Sequence, residues 1–300
     1  MSGTVKIFKD SDTVGRHGLP ADFPYLDGVF ISSLIDLDFK ERASAVYSAV
    51  TSRKPDENAF SFLEGVDEPA SVVTFDDGLA AVELSDGKTA CFYDYVFDKT
   101  DLFGMVASVI SIVVSVVCDL ISGGAIDPSE KVIFACPFND GLIPLSLLIA
   151  KKTGVPIEMI CAGDLKPDDS LFGGLYLSQV VEAEIDEVIS DFYDEYSYPV
   201  DPLSALSLIA LDNYLADYDD NSFAVFFALV SPYLYSRRIL KDVTGKNEIS
   251  TDKAERALYL ETALDIPDCI KNKKMPPFFN EKPLISAETA LTLIKCADKI

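Results

Sequence analysis

The sequence predicts an α/β protein: a mostly parallel sheet flanked by helices, with a small α+β part at the N-terminus. Two apolar runs, residues 131–137 and 157–162, are separated by a helical pattern over residues 142–152 and by Gly154. This order is typical of a βαβ unit in a parallel sheet that is buried on both faces. A third apolar run, residues 222–230, follows helical patterns and extends the same layered architecture.

The first 85 residues carry shorter elements, and we assign them to the N-terminal α+β part, with residues 86–300 forming the α/β core domain. A strand is predicted over residues 4–8, and residues 38–52 have apolar side chains at helical spacing. Residues 71–84 contain two β-rich stretches around an Asp-Asp-Gly turn, a strong hairpin signal. We expect this hairpin to form a small sheet.

The most apolar part of the chain is a run of seventeen residues without a charge, residues 102–118. A helix needs about 20 apolar residues to span a bilayer. The small residues Gly104, Ser108, Ser111 and Ser115 lie at i, i+4, i+7 and i+11, which places them on one helix face. We therefore predict a core helix buried against the sheet, with this stripe at its closest contact, rather than a membrane span.

Further helices are predicted in the second half of the chain. Asp201 is a suitable N-cap and Pro202 suits the first turn, so a helix is expected over residues 203–215. Ser231 and Pro232 give the same signal after the third apolar run. Amphipathic patterns predict helices over residues 182–196, 251–264 and 287–297.

Charge and cysteine usage restrict the class of protein. The chain has 25 Lys and Arg against 49 Asp and Glu, a formal net charge of −24, which repels nucleic-acid phosphates and anionic lipids. The six cysteines stand singly and indicate reduced thiols in a cytoplasmic protein. Residues 1–12 contain no apolar segment of a secretory signal. We expect neither nucleic acid nor membrane as a partner.

Residues suited to other chemistries have simpler interpretations. His17, the only histidine, lies in a glycine-containing stretch and is interpreted as a solvated loop residue. The acidic runs 164–169 and 217–220 lack the spacing of a calcium-binding loop and are interpreted as solvated turns. The acidic residues of 182–195 are interpreted as a helix surface. We therefore assign no metal site.

Five phrases resemble, in the same order, those of threonine synthase, a fold-type-II enzyme that depends on pyridoxal phosphate. The phrases are Gly18-Leu19 with residues 27–31, residues 83–94, residues 131–157, residues 201–205 and residues 228–232. The third phrase is the longest. Its match to the family lies in Ala-Lys-Lys at residues 150–152 and Gly-Val-Pro-Ile at residues 154–157. The resemblance implies a fold-type-II core like that of the tryptophan synthase β-subunit.

The resemblance also implies which functional residues have changed. Tyr93 stands where the family has the lysine that forms an imine with the cofactor, and a phenol cannot replace an amine there. In the family's phosphate loop, Asn139 and Leu142 replace glycines, and Asp140 adds a negative charge. Lys88, which could be imagined as a replacement amine, takes the position of a family proline.

Three further positions and one segment depart from the family's pattern. The resemblance places Leu203 and Ser231 at two family histidines and Leu229 at the threonine near the pyridine nitrogen. The family's small mobile domain would lie between residues 98–101 and 102–118, where this chain has no room for it. The cleft is therefore expected to lack one wall.

Two hypotheses follow. The first is a catalytically inactive relative of threonine synthase that acts as a binding or interaction protein, with a second copy of the chain or a homologous protein as partner. The second is an enzyme with repurposed chemistry in the former cofactor cleft, or a divergent lyase of the threonine synthase type. No residue is assigned as catalytic and no pyridoxal phosphate is expected. The candidate pocket consists of Thr89, Tyr93, Asp94, Asn139, Asp140, Gly141, Ser204 and Ser231.

Overall fold

The fold is that of a computed structural model. The residues it describes are 3–55, 71–75, 78–83, 101–165, 170–248, 250–272 and 285–297. Three residues of the candidate pocket, Thr89, Tyr93 and Asp94, lie outside these ranges, as does Lys88.

The N-terminal part contains a two-stranded sheet and three helices. Its elements are β1 (Thr4–Lys6), α1 (Ser11–Arg16), β2 (Asp22–Pro24), α2 (Gly28–Ser32) and α3 (Phe39–Thr51). β1 and β2 pair antiparallel. The sequence gives no periodic signal for α1 and α2, because helices of 6 and 5 residues are too short to show a period. The Asp10 side chain accepts hydrogen bonds from the amides of Asp12 and Thr13 in α1, and the Asp27 side chain accepts one from the amide of Phe30 in α2.

The rest of the chain builds one seven-stranded sheet and its helices. In chain order the elements are β3 (Ser71–Thr74), β4 (Leu79–Glu83), α4 (Leu102–Ser122), β5 (Val132–Pro137), α5 (Leu142–Thr153), β6 (Ile157–Asp164), β7 (Ser170–Phe172), β8 (Leu175–Gln179), α6 (Glu182–Tyr196), α7 (Pro202–Tyr218), β9 (Ala224–Ala228), a 3-10 turn (Pro232–Tyr235), α8 (Ser236–Thr244), α9 (Thr251–Thr262), α10 (Asp268–Lys271) and α11 (Ala287–Cys296). The sheet order is β3-β4-β9-β5-β6-β8-β7. The five inner strands are parallel and the two edge strands antiparallel. The predicted fold class is confirmed.

The predicted hairpin is present, but it does not form a separate small sheet. β3 and β4 pair antiparallel, and β4 then pairs in parallel with β9, from Leu79 opposite Ala224 to Glu83 opposite Ala228. A hairpin signal is local, whereas this second pairing joins segments far apart in the sequence. The hairpin therefore extends the large sheet at one edge.

Alternate side chains of the sheet face two apolar layers. Phe134 and Cys136 of β5 belong to one cluster, which includes α3, α4, α5 and α11. Ile133 and Ala135 belong to the other, which includes α6, α7, α8 and α9. This period of two along a strand buried on both faces explains why the sequence showed a continuous apolar run.

The apolar helix α4 lies in the first of these layers. Its charge-free stretch is buried, which confirms the predicted core helix, although its most extensive contacts are with α3 and α5 rather than with strands. Within the described residues α4 is the helix long and apolar enough to cross a membrane, and 83% of its most apolar window is buried in the fold. The hydroxyls of Ser108, Ser111 and Ser115 donate to carbonyls one turn earlier, so the stripe carries satisfied polar groups.

The buried guanidinium of Arg42 connects α3 to neighbouring segments of the core. Arg42 donates to the carbonyl oxygens of Leu34 at 3.0 Å and Ile35 at 2.6 Å. It also forms an ion pair with Asp119 of α4 and approaches the carbonyl oxygen of Ser115 at 3.4 Å. A single side chain therefore satisfies acceptors on two segments of the core.

α8 carries a buried carboxylate with incomplete hydrogen bonding. Oδ2 of Asp242 is buried and has no hydrogen-bond partner in the described part of the chain. The pKa of Asp242 is raised to about 6, because burial and the Asp186 carboxylate raise it more than Lys241 and Arg238 lower it. Because the folded-state pKa is raised, the stability that Asp242 contributes is fully present below about pH 4 and is lost as the pH rises through about 6.

Replacing Asp242 by asparagine is expected to raise the free energy of unfolding at about pH 7.5 by about 1 kcal/mol, because the buried charge is removed. At about pH 5 the difference should shrink, since the wild-type carboxyl is then largely protonated. Urea denaturation at both pH values measures the change. The control is Asp265→Asn at an exposed position. A destabilised Asp242→Asn protein at neutral pH would contradict the interpretation.

Candidate functional site

The candidate pocket lies at the carboxyl edge of the parallel strands. β5 and β9 are neighbours, and the chain leaves β5 for α5 on one face and leaves β9 for α8 on the other. Ligands of open α/β sheets bind in the crevice that such diverging loops leave at the carboxyl edge. The loop after β5 contains Asn139, Asp140 and Gly141, and Ser231 follows β9.

Two amides at the start of α5 donate to acceptors within the protein. The Asp140 carboxylate is 3% exposed, and its Oδ1 accepts from the amide of Leu142 at 3.0 Å. The amide of Gly141, the N-cap residue of α5, donates to the carbonyl oxygen of Ile285 at 3.2 Å. Pro144, in the same first turn, has no N–H to offer. Asn139 is exposed at the tip of the loop.

The C-terminal helix covers this first turn of α5. A Cβ atom added to Gly141 would lie 1.9 Å from Cβ of Ala290 and 3.4 Å from the carbonyl oxygen of Ser286. Ala290 is itself fully buried. Position 141 therefore has to be glycine for α11 to pack where it does.

These features bear on whether a phosphate could bind at α5. A phosphate at a helix N-terminus needs free amides of the first turn and gains from the positive end of the helix dipole. Here the amides of Gly141 and Leu142 have acceptors within the protein, and the Asp140 carboxylate already supplies a negative charge. The described residues of this loop therefore do not fit the phosphate of pyridoxal phosphate.

Ser204 lies on the other side of the sheet, in the first turn of α7. Asp201 caps that helix by accepting from the amides of Leu203 at 2.8 Å and Ser204 at 3.3 Å. The Ser204 hydroxyl donates to the Asp201 carboxylate and lies 3.4 Å from the carbonyl oxygen of Phe227 near the end of β9. Burial raises the pKa of Asp201 to about 6, although its hydrogen bonds lower it.

A tyrosine and a glutamate extend this buried polar group. The Tyr198 hydroxyl donates to Oε1 of Glu83, the last residue of β4. Burial raises the pKa of Tyr198 well above its usual value, and the Glu83 and Asp201 carboxylates raise it further. Glu83, Tyr198, Asp201 and Ser204 therefore form a polar cluster near the carboxyl ends of β4 and β9.

The five described candidate residues lie at one edge of the sheet but on different faces. Asn139, Asp140 and Gly141 belong to the α5 side, and Ser204 belongs to the α7 side. The Ser231 hydroxyl accepts from the amide of Tyr233 at 3.4 Å and so caps the 3-10 turn. Neither Glu83 nor Tyr198 is among the predicted pocket residues, because nothing local in the sequence shows that two such distant residues meet.

The described residues weighed for other chemistries have structural partners or lie at the surface, and residues 166–169 of one acidic run lie outside the described ranges. His17 is exposed at the end of α1. Asp217 accepts from the Tyr176 hydroxyl at 3.0 Å, and Asp220 accepts from the Tyr214 hydroxyl at 2.9 Å. In the described ranges, no group of three or more His, Cys, Asp and Glu side chains is arranged to hold a metal ion.

A cavity of about 460 Å³ lies at the opposite, amino edge of the sheet. Polar residues at its rim include Glu130, Lys131 and Asp220. Lys131 pairs with Glu158 at 2.9 Å, and Asp220 accepts from the amide of Ser222 at 2.9 Å. Because Lys131 and Asp220 already have partners within the protein, their polar atoms do not converge on the cavity.

Comparison with known sequences gives no family assignment: no protein-family model matches this chain, and no curated protein matches it. Comparison with solved structures shows a likeness of fold. The crystal structure of threonine synthase from Escherichia coli aligns with a TM-score of 0.58 at 11% identity, covering 78% of this chain and 86% of that chain.

A second solved structure gives the same result. The pyridoxal-phosphate-bound threonine synthase from Brucella melitensis aligns with a TM-score of 0.56 at 10% identity, covering 80% of this chain and 88% of that chain. At such low identity the likeness establishes the fold alone. The protein is therefore an α/β protein with a threonine-synthase-like fold, and the resemblance seen in the sequence is confirmed at that level.

Proposed function

We propose that this protein is a non-catalytic member of the threonine-synthase fold and serves as a binding or interaction protein. The hydrogen bonding of the α5 first turn carries the proposal. The Asp140 carboxylate and the Ile285 carbonyl oxygen hold the amides that a cofactor phosphate would need. Building a phosphate site there would require both acceptors to be displaced and would place two negative charges together.

The sequence supports the same proposal independently. Tyr93 stands at the position that the resemblance assigns to the imine-forming lysine. Loss of the amine and occupation of the phosphate site affect two separate requirements of the same cofactor. Either change alone would weaken cofactor binding, and together they remove its covalent and its ionic attachment.

The purified protein is expected to form no adduct with pyridoxal phosphate. The test is incubation with the cofactor, a visible absorbance spectrum, borohydride reduction and peptide mapping by mass spectrometry. A threonine synthase that retains its lysine serves as the positive control. A stable reduced adduct at any one lysine, Lys88 above all, would overturn the proposal.

The interaction half of the proposal needs its own test. We propose a second copy of this chain or a homologous threonine synthase as the partner. Analytical ultracentrifugation of the purified chain, alone and mixed with such an enzyme, measures both associations at once. A complex with either partner at micromolar concentration supports the proposal, whereas a monomer that binds neither contradicts it.

One observation favours an alternative, an enzyme with repurposed chemistry. Asp201, with its pKa raised to about 6, lies in the cluster with Glu83 and Tyr198, and perturbed groups of this kind concentrate at active sites. The capping bonds of Asp201 give it a structural role that explains its burial equally well. Asp201→Asn keeps a good helix cap. If the protein is found to turn over a substrate, and Asp201→Asn abolishes that activity but keeps the fold, the alternative replaces the non-catalytic proposal.

A further inference from the structure

The end of the chain forms a connection between two distant parts of the fold. Residues 285–297, here called the C-terminal clasp, contact the first turn of α5 through Ile285 and Ala290. At its other end the amide of Lys9 donates to the carbonyl oxygen of Cys296 at 3.1 Å, and Ala297 forms an antiparallel bridge with Phe8. The clasp is therefore held on one side by the sheet's carboxyl edge and on the other by the N-terminal part.

The clasp contacts α5 at a position where many α/β proteins bind an anion. A helix that begins directly after a parallel strand presents free amides and a positive dipole end, which makes it an anion-binding site in many α/β proteins. In this chain the Ile285 carbonyl oxygen accepts from the Gly141 amide, and the Asp140 carboxylate accepts from the Leu142 amide. Both acceptors come from the protein itself.

The clasp also packs tightly against the first turn of α5. Ala290 lies where a side chain on residue 141 would be, with a Cβ-to-Cβ separation of 1.9 Å for an added methyl group. Leu293 and Ile294 continue the same buried face of α11 into the apolar cluster of α4 and α5. The clasp thus fills the space beside residue 141 and accepts from its amide, while the Leu142 amide donates within the loop.

We propose that the C-terminal clasp is an internal cap that closes the first turn of α5 to external anions, so that access requires the clasp to detach. In a non-catalytic protein the clasp would keep the former cleft closed, and in an enzyme it would act as an autoinhibitory contact. The inference therefore goes beyond the proposed function and does not depend on it.

A steric test uses glycine and alanine at the two touching positions. Gly141→Ala is expected to release the clasp and to increase hydrogen exchange of the α11 amides by about tenfold or more. Ala290→Gly in the same chain should restore exchange to within about threefold of the wild type, because it returns the missing space. Gly28→Ala is the matched control, since a methyl group there meets nothing within 4 Å.

Two results would overturn the proposal: unchanged α11 exchange in Gly141→Ala, or no recovery in the double variant. If Gly141→Ala does not fold, the wild type supplies the measurement by NMR. The Gly141 amide should then exchange together with the α11 amides at every denaturant concentration, because detachment of the clasp exposes both. Faster exchange at Gly141 than in α11 would contradict the proposal.

A third measurement tests closure against anions directly. Inorganic phosphate is added to the wild type at constant ionic strength, with chloride as the reference, and the amide signals of Gly141 and Leu142 are followed. No saturable shift is expected. A saturable shift at these amides overturns the closed cap, whereas failure of the non-catalytic proposal would appear as a lysine adduct with pyridoxal phosphate, so the two failures are distinguishable.

Discussion

Replacing Arg42 by methionine is expected to lower the free energy of unfolding by about 2–3 kcal/mol. Methionine keeps much of the aliphatic volume but supplies no donor. The carbonyl oxygens of Leu34 and Ile35 would lose their bonds from the guanidinium, and Asp119 would lose its ion-pair partner. The Leu34 carbonyl oxygen keeps a bond from the Leu37 amide at 3.1 Å, so the loss falls mainly on the Ile35 carbonyl oxygen and on the ion pair. Urea denaturation followed by circular dichroism measures the loss.

The chain contains a matched control for this substitution. Arg53 and Asp101 form an ion pair at 2.6 Å whose side chains are 48% and 39% exposed, whereas the Arg42 side chain is 8% exposed. Arg53→Met is expected to change the free energy of unfolding by no more than about 1 kcal/mol, because solvent screens exposed pairs. Equal losses in the two variants would show that burial of Arg42 is not what makes it important.

Introducing aspartate at Val113 is expected to abolish soluble expression. Val113 is fully buried in the middle of α4, between α3 and α5. An unpaired carboxylate at this position loses its hydration without gaining a partner, which costs several kcal/mol, a large part of the stability of a typical domain. The measurement is the soluble fraction on expression, followed by circular dichroism of any protein recovered.

Two further variants separate charge burial from other effects in the same helix. Ser122→Asp adds the same charge at the exposed end of α4 and should leave a soluble, folded protein. Val113→Thr keeps the side-chain shape, and its hydroxyl can donate to the carbonyl one turn earlier, as the hydroxyls of Ser108 and Ser111 do. A soluble, normally folded Val113→Asp protein would contradict the buried position of the helix.

The long elements could be predicted because their signals are local and repeat several times. The predicted helix over residues 182–196 coincides with α6, and the helix predicted over residues 142–152 is α5 with one residue more. The apolar runs gave β5 and β6 because both of their faces are largely buried. β5 has no charged side chain, and the two acidic residues of β6, Glu158 and Asp164, lie near its ends. Short helices such as α1 left no periodic signal.

For the candidate site, the sequence located the loop after β5, because a strand followed directly by a helix is recognisable from composition. It also identified Asp140 as a charge at the start of that helix. It could not show that Asp140 accepts from the Leu142 amide, since the same residues could equally leave that amide exposed. Thr89, Tyr93 and Asp94 lie outside the described residues, so their place in the pocket stays a prediction.

The sequence by itself determined the layered α/β class and the likeness to threonine synthase, because periodicity and motif order are properties of neighbouring residues. Only the tertiary structure decided why Gly141 and Gly163 are glycines: a Cβ on the first would meet Ala290 of α11, and one on the second would lie 2.1 Å from the carbonyl oxygen of Leu206 in α7. The hydrogen bond from Tyr198 to Glu83 likewise shows only in the tertiary structure. Such contacts depend on how whole helices pack on the sheet, and the amount of space between two packed backbones is not encoded in either segment alone.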